Sequence, residues 1–124
     1  MKWTQAQAVE LCRAIEVFAP RYGCHVALTG GTLYHFGERK DADILFYRIR
    51  QIELIDVDGL MDAMQRSLGV EPGEDYGWCF KATYQGRAID FFFPERDGVV
   101  APGYEEPASM RAQAVLTDEP EVVF

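Results

Sequence analysis

Thr29 to Tyr47 reads TGGTLYHFGERKDADILFY. Gly30 and Gly31 follow an apolar run, and ten residues beyond Gly31 come Asp41 and then Asp43, at the head of a second apolar run. Side chains alternate along a strand, so Asp41 and Asp43 share one face while Ala42, Ile44 and Phe46 share the other. The rise of a strand sets the two aspartate Cα atoms about 6.5–7 Å apart. Carboxylates so placed repel each other and resist desolvation, which argues against a core role. A divalent cation would resolve the conflict.

Around this stretch the chain alternates helices and strands. Thr4 is placed to cap a helix running to about Phe18, with Ala8, Leu11, Cys12, Ile15 and Phe18 as one apolar stripe. Pro20 and Gly23 end it. His25 to Thr29 reads as a short buried strand, Thr32 to Phe36 as a short helix, and Ala42 to Tyr47 as a second strand. Asp58 is expected to cap a helix bearing Leu60, Met61, Met64 and Leu68, stopped by Gly69. Val70 to Tyr76 reads as a loop. His25 and His35 have no partner at ligand spacing and read as structural or surface residues, and Arg48 and Arg50, which follow the acidic strand, read as surface residues in preference to substrate ligands.

Trp78 to Tyr84 and Arg87 to Phe93 flank Gln85-Gly86, which is hairpin spacing. A two-residue loop makes Tyr84 face Arg87, and counting back sets Lys81 opposite Asp90 and Phe80 opposite Phe91. Trp78, Phe80 and Ala82 then join Ile89, Phe91 and Phe93 on an apolar face. Lys81 and Asp90 lie on the other side, close enough to pair. Asp90 sits in the run AIDFFF. If this strand lies beside the second one, three carboxylates meet on one face. Without Cys or His among them they suit Mg²⁺ or Mn²⁺ over zinc.

The elements predict an α+β sandwich with a mixed sheet of about four strands and helices packed on one face. Residues 1–93 form the expected core, and 94–124 an irregular extension packed on the same domain, with room for a short helix from Pro107 to about Leu116. The chain has 124 residues, 48% of them hydrophobic, enough for one packed domain. Its net charge of −8 disfavours the broad basic surface of a nucleic-acid binder without excluding a local phosphate site. Three cysteines with no C-x-x-C pair indicate neither a disulfide framework nor a zinc knuckle, and the expectation is reduced thiols in a cytoplasmic protein. No segment approaches a membrane span.

Leu28-Thr29-Gly30-Gly31, Asp41-Ala42-Asp43-Ile44 and Ile89-Asp90-Phe91, in this order and spacing, resemble the pattern of the DNA polymerase β-like nucleotidyltransferase superfamily. The form is most similar to its bacterial and phage abortive-infection and toxin–antitoxin branch. The resemblance covers roughly residues 8–93. It implies two metal ions held by Asp41, Asp43 and Asp90, with Asp90 on the one that activates the attacking group, and pyrophosphate as leaving group. It implies a triphosphate cradled by Gly30, Gly31 and the turn through Thr32. Arg39 and Lys40 are either surface cations or triphosphate ligands, and Lys81 borders the metal site, with a phosphate contact as its further role. Lys40 and Gly31 stand where the family often has Ser, and the acceptor-binding helical domain of most relatives has no counterpart here.

The expected activity is transfer of a nucleoside monophosphate, most simply AMP from ATP, to an acceptor that the sequence does not name. A tRNA end, a protein hydroxyl and a small molecule are all open, as is a partner protein. The alternative is an inactive transferase fold that binds a nucleotide or a partner without turnover.

Overall fold

The computed structural model describes residues 1–34, 37–50 and 54–96. Helix α1, Gln5–Glu16, starts at Thr4, whose hydroxyl accepts from the Gln7 N–H while the Gln7 side chain accepts from the Thr4 N–H. This reciprocal pair satisfies two donors that a helix start leaves open. A single 3₁₀ turn, Ala19–Tyr22, closes on Gly23 and leads into β1, Cys24–Thr29. The short helix α2, Gly30–Tyr34, follows, then β2, Asp41–Arg48. Helix α3, Val57–Leu68, ends at Gly69, whose φ of 78° suits glycine. Strands β3, Glu71–Asp75, β4, Cys79–Tyr84, and β5, Arg87–Phe92, complete the fold.

The sheet order is β1-β2-β5-β4-β3, with β2 and β5 parallel and every other pair antiparallel. Ala8, Leu11 and Ile15 of α1 and Leu60, Met61 and Met64 of α3 are buried in one cluster with Ala42, Ile44, Phe46, Ile89 and Phe91 of the sheet. Phe46 stacks on Phe93 at 4.7 Å and meets Phe91 edge-on at 5.4 Å. Burial of this face holds the register, because a one-residue slip of β2 would carry Asp41 and Asp43 into the core. The opposite sheet face carries those aspartates.

The mixed α+β architecture agrees with expectation, but among the described residues the sheet has five strands. The fifth is β3, which the sequence reads as loop. All five of its residues are exposed, so it carries no apolar alternation and is held by pairing to β4 and by the Arg96 ion pair to Asp75. A register irregularity between Pro72 and Asp75, with Pro72 itself, blunts this edge against further pairing. A Cβ on Gly73 would come to 3.0 Å from the Lys81 carbonyl oxygen, so glycine eases the close approach of the strands there.

Two further expectations are corrected, and the structural reading of His25 gains a contact. The cap of α3 is Asp56, whose carboxylate accepts from Gly59 N–H at 3.0 Å, and Asp58 falls in the first turn. His25 has a partner: its Nδ1 lies 2.6 Å from Glu16, whose other oxygen accepts from the Val26 N–H. Glu16 thereby seals an edge strand. Trp78 precedes β4, after a turn at Gly77, and its ring stacks on Phe92, on the carboxylate face instead of the core face. The proposed helix from Pro107, His35 and most of the 94–124 extension lie outside the described residues. Of that extension, Glu95 accepts from the Arg48 N–H at 2.6 Å, and Arg96 donates to Asp75 at 2.7 Å. Among the described residues no helix is long and apolar enough to cross a membrane.

Candidate functional site

Strand pairing gathers the acidic residues. Asp43 of β2 and Asp90 of β5 are direct register partners, and Asp41 is two residues back along β2. Parallel neighbours lie about 4.8 Å apart, so Asp43 has one carboxylate beside it and another along its own strand. Asp41 is exposed, while Asp43 and Asp90 are half-buried. The pKa of Asp43 is raised, first by desolvation and then by the charges of Asp90 and Asp41; Arg39 and the Gly31 N–H partly offset this. Asp43 is thus an acid held against its own preference.

The glycine turn meets the same residue from the other side. Thr29 is the register partner of Asp43, so the chain turns beside it. Gly30 has φ +67°, and a Cβ there would collide with the Asp43 carboxylate. A Cβ on Gly31 would strike the Arg39 guanidinium. Gly30 is therefore needed to admit Asp43, while Gly31 leaves room for the end of the flexible Arg39 side chain. Thr32 is buried and its hydroxyl donates to Thr29 O, so its side chain serves the turn.

Arg39 is fixed by the N-terminus. Trp3 N–H donates to Arg39 O at 2.7 Å, and Arg39 N–H to Trp3 O at 2.9 Å. The Trp3 ring is buried, and its Nε1 donates to Ala88 O at 2.6 Å, two residues before Asp90. One tryptophan thus ties the approach to Asp41 and the approach to Asp90. Sequence reading missed this role. Trp3 precedes the first helix, and nothing in its neighbours shows that the backbone pairs with a residue 36 positions on. An open cleft of about 510 Å³ results, lined by Lys2, Glu38, Arg39, Lys40, Asp41 and Asp43. Lys40 lines the cleft as Arg39 does.

On the far side Lys81 lies across from Asp90 in the expected register, from Tyr84–Arg87 through Phe80–Phe91. Lys81 Nζ donates to Asp90 Oδ1 at 2.8 Å, and this bond is the first cause raising the Lys81 pKa. Cys79, beside the pair, has its thiol pKa raised by burial first and by Asp90 second. Cys12 and Cys24 pack with the core, and burial pushes their thiols up to about 11 and about 12.

The donor set fits a hard divalent cation: carboxylate oxygens, mutual repulsion to relieve, and backbone already in place. Among the described residues no three acidic, His or Cys side chains converge as a ready metal cage, and Asp90 is turned to Lys81. Convergence would therefore require Asp90 to exchange its ammonium partner for the cation.

The sequence matches no family model, and a search of curated proteins finds no significant match.

Proposed function

We propose that the chain is a metal-dependent nucleotidyltransferase that moves a nucleoside monophosphate, AMP in the simplest case, from an NTP to an acceptor hydroxyl and releases pyrophosphate. The observation that carries this reading is Asp43. It is flanked by Asp90 across the sheet and Asp41 along its strand, with its ionised form disfavoured by burial and by both neighbours. Placing three acids on one sheet face sets up a repulsion that a bound cation would relieve.

Asp41, Asp43 and Asp90 would hold Mg²⁺ or Mn²⁺, two ions in the full form, whose charge neutralises phosphate oxygens as the α-phosphorus is attacked. Arg39, held over Gly31 by the Trp3 bridge, and Lys40 present cations to the phosphates in the cleft. Gly31 N–H orients the Asp43 carboxylate. Lys81 holds Asp90 until ligand arrives. The Lys81–Asp90 pair also supports a second reading, a transferase fold that binds nucleotide without turnover, since it occupies the carboxylate that activates the acceptor.

Transfer of label from an α-phosphate-labelled NTP with Mg²⁺, offered to total tRNA and to cell lysate, separates the two. Transfer that is lost in Asp43→Ala supports the enzyme. Nucleotide binding with no transfer supports the binding module.

A further inference from the structure

Beyond Asp90, on the side away from the glycine turn, the carboxylate face carries a second recess of about 260 Å³. Tyr76, Trp78 and Phe92 line it together with Cys79, Lys81 and Asp90. The Trp78 and Phe92 rings stack at 5.7 Å with 26° between their planes. Tyr76 is 53% exposed, and its hydroxyl donates to Glu74 at 2.6 Å. None of these three rings belongs to the hydrophobic core.

We propose that this recess is the acceptor subsite and that it takes a nucleoside, with the base stacked on the Trp78–Phe92 rings and a ribose hydroxyl at Asp90. The assignment rests on the transferase reading above. In-line displacement requires the attacking oxygen to enter opposite the leaving pyrophosphate. The cleft that holds Arg39 and Lys40 lies on the β2 side of Asp90, so the acceptor enters from the β4 side, where the rings stand. Base–aromatic stacking tolerates any base, because every base has a π-face. The step balances: the ribose oxygen bonds to the α-phosphorus, the bond from that phosphorus to the bridging oxygen breaks, pyrophosphate leaves with the electron pair, and the hydroxyl proton passes to Asp90. Glu74, hydrogen-bonded to Tyr76, and the net charge of −8 disfavour a polyanionic strand, so the acceptor is a small nucleoside and not the end of an RNA.

Indole N–H signals report the test, since Trp3 is buried and Trp78 lines the recess. Adenosine without Mg²⁺ is expected to shift the Trp78 signal saturably and leave Trp3 unmoved. Trp78→Leu, read on the remaining backbone signals, and the milder Phe92→Leu should each weaken adenosine binding between about 5-fold and about 150-fold. Adenosine affinity should be unchanged with saturating ATP and Mg²⁺. Competition between the two would place the donor's base in the recess and overturn the acceptor role. Absence of any adenosine response would overturn the subsite itself. A single-stranded RNA hexamer binding more than tenfold tighter than adenosine would overturn the small-molecule acceptor. Adenosine binding in a protein that never binds ATP would sink the transferase reading, and the acceptor role with it, while leaving a ring-binding recess.

Discussion

Asp43 and Asp90 face each other as register partners on the two parallel strands at the centre of the sheet. Their Cα atoms are set by the ladder, so the repulsion between the two side chains is built into the pairing and cannot be relaxed by sliding one strand.

Asp43→Asn should therefore fold and be as stable as the parent, or more so. The folded pKa of Asp43 lies above its unfolded value. Its ionisation then costs stability progressively as pH rises from the unfolded value to the folded one, and the cost is gone well below pH 4. Asn removes that cost and keeps an oxygen for the Gly31 N–H. The expected gain at pH 7 is up to about 4 °C in Tm, shrinking toward zero near pH 3. Thermal unfolding of both proteins across pH checks it, and unfolding of the variant at pH 7 would give Asp43 a structural role instead.

Lys81→Met should raise the affinity for Mg²⁺ alone about 2- to 5-fold, because the cation no longer competes with an exposed ion pair. Calorimetric titration with MgCl₂ measures this. A weaker Mg²⁺ affinity would mean that Lys81 orients Asp90 for the metal and does not compete with it.

Gly30→Ala should cost about 1–3 kcal/mol, since the residue sits at φ +67° and its Cβ would displace the Asp43 carboxylate. It should also abolish nucleotide binding. Urea unfolding and nucleotide titration on the same sample separate the two effects.

Trp3→Phe keeps a ring in the buried site and deletes the Nε1 donor to Ala88 O. A loss of about 1–3 kcal/mol is expected from the carbonyl left without its partner, and Trp3→Ala should lose about 3–5 kcal/mol. Chemical denaturation of the three proteins orders them.

Two rules placed most of the carboxylate geometry in sequence, while the β2–β5 pairing that brings Asp90 to Asp43 stood there only as a condition. Period-two alternation put Asp41 and Asp43 on one face, and the two-residue turn at Gln85-Gly86 fixed Lys81 against Asp90. What was hidden lacked such a local signal. Strand β3 is exposed at every position, so its sequence, EPGED, carries turn residues and acids and no apolar period. Trp78 breaks alternation because Gly77, at φ 89°, turns the chain just before β4 begins. The Trp3–Arg39 bridge and the Glu16 seal on β1 join residues brought together only by packing.

The central claim is that Asp41, Asp43 and Asp90 bind nucleotide through a divalent cation. Calorimetric titration of ATP into the parent, Asp41→Asn and Asp43→Asn, each with and without Mg²⁺, tests it most directly. The account predicts binding by the parent only when Mg²⁺ is present, and at least a tenfold loss in both folded variants. ATP binding that ignores Mg²⁺, or that survives intact in Asp43→Asn, would contradict it.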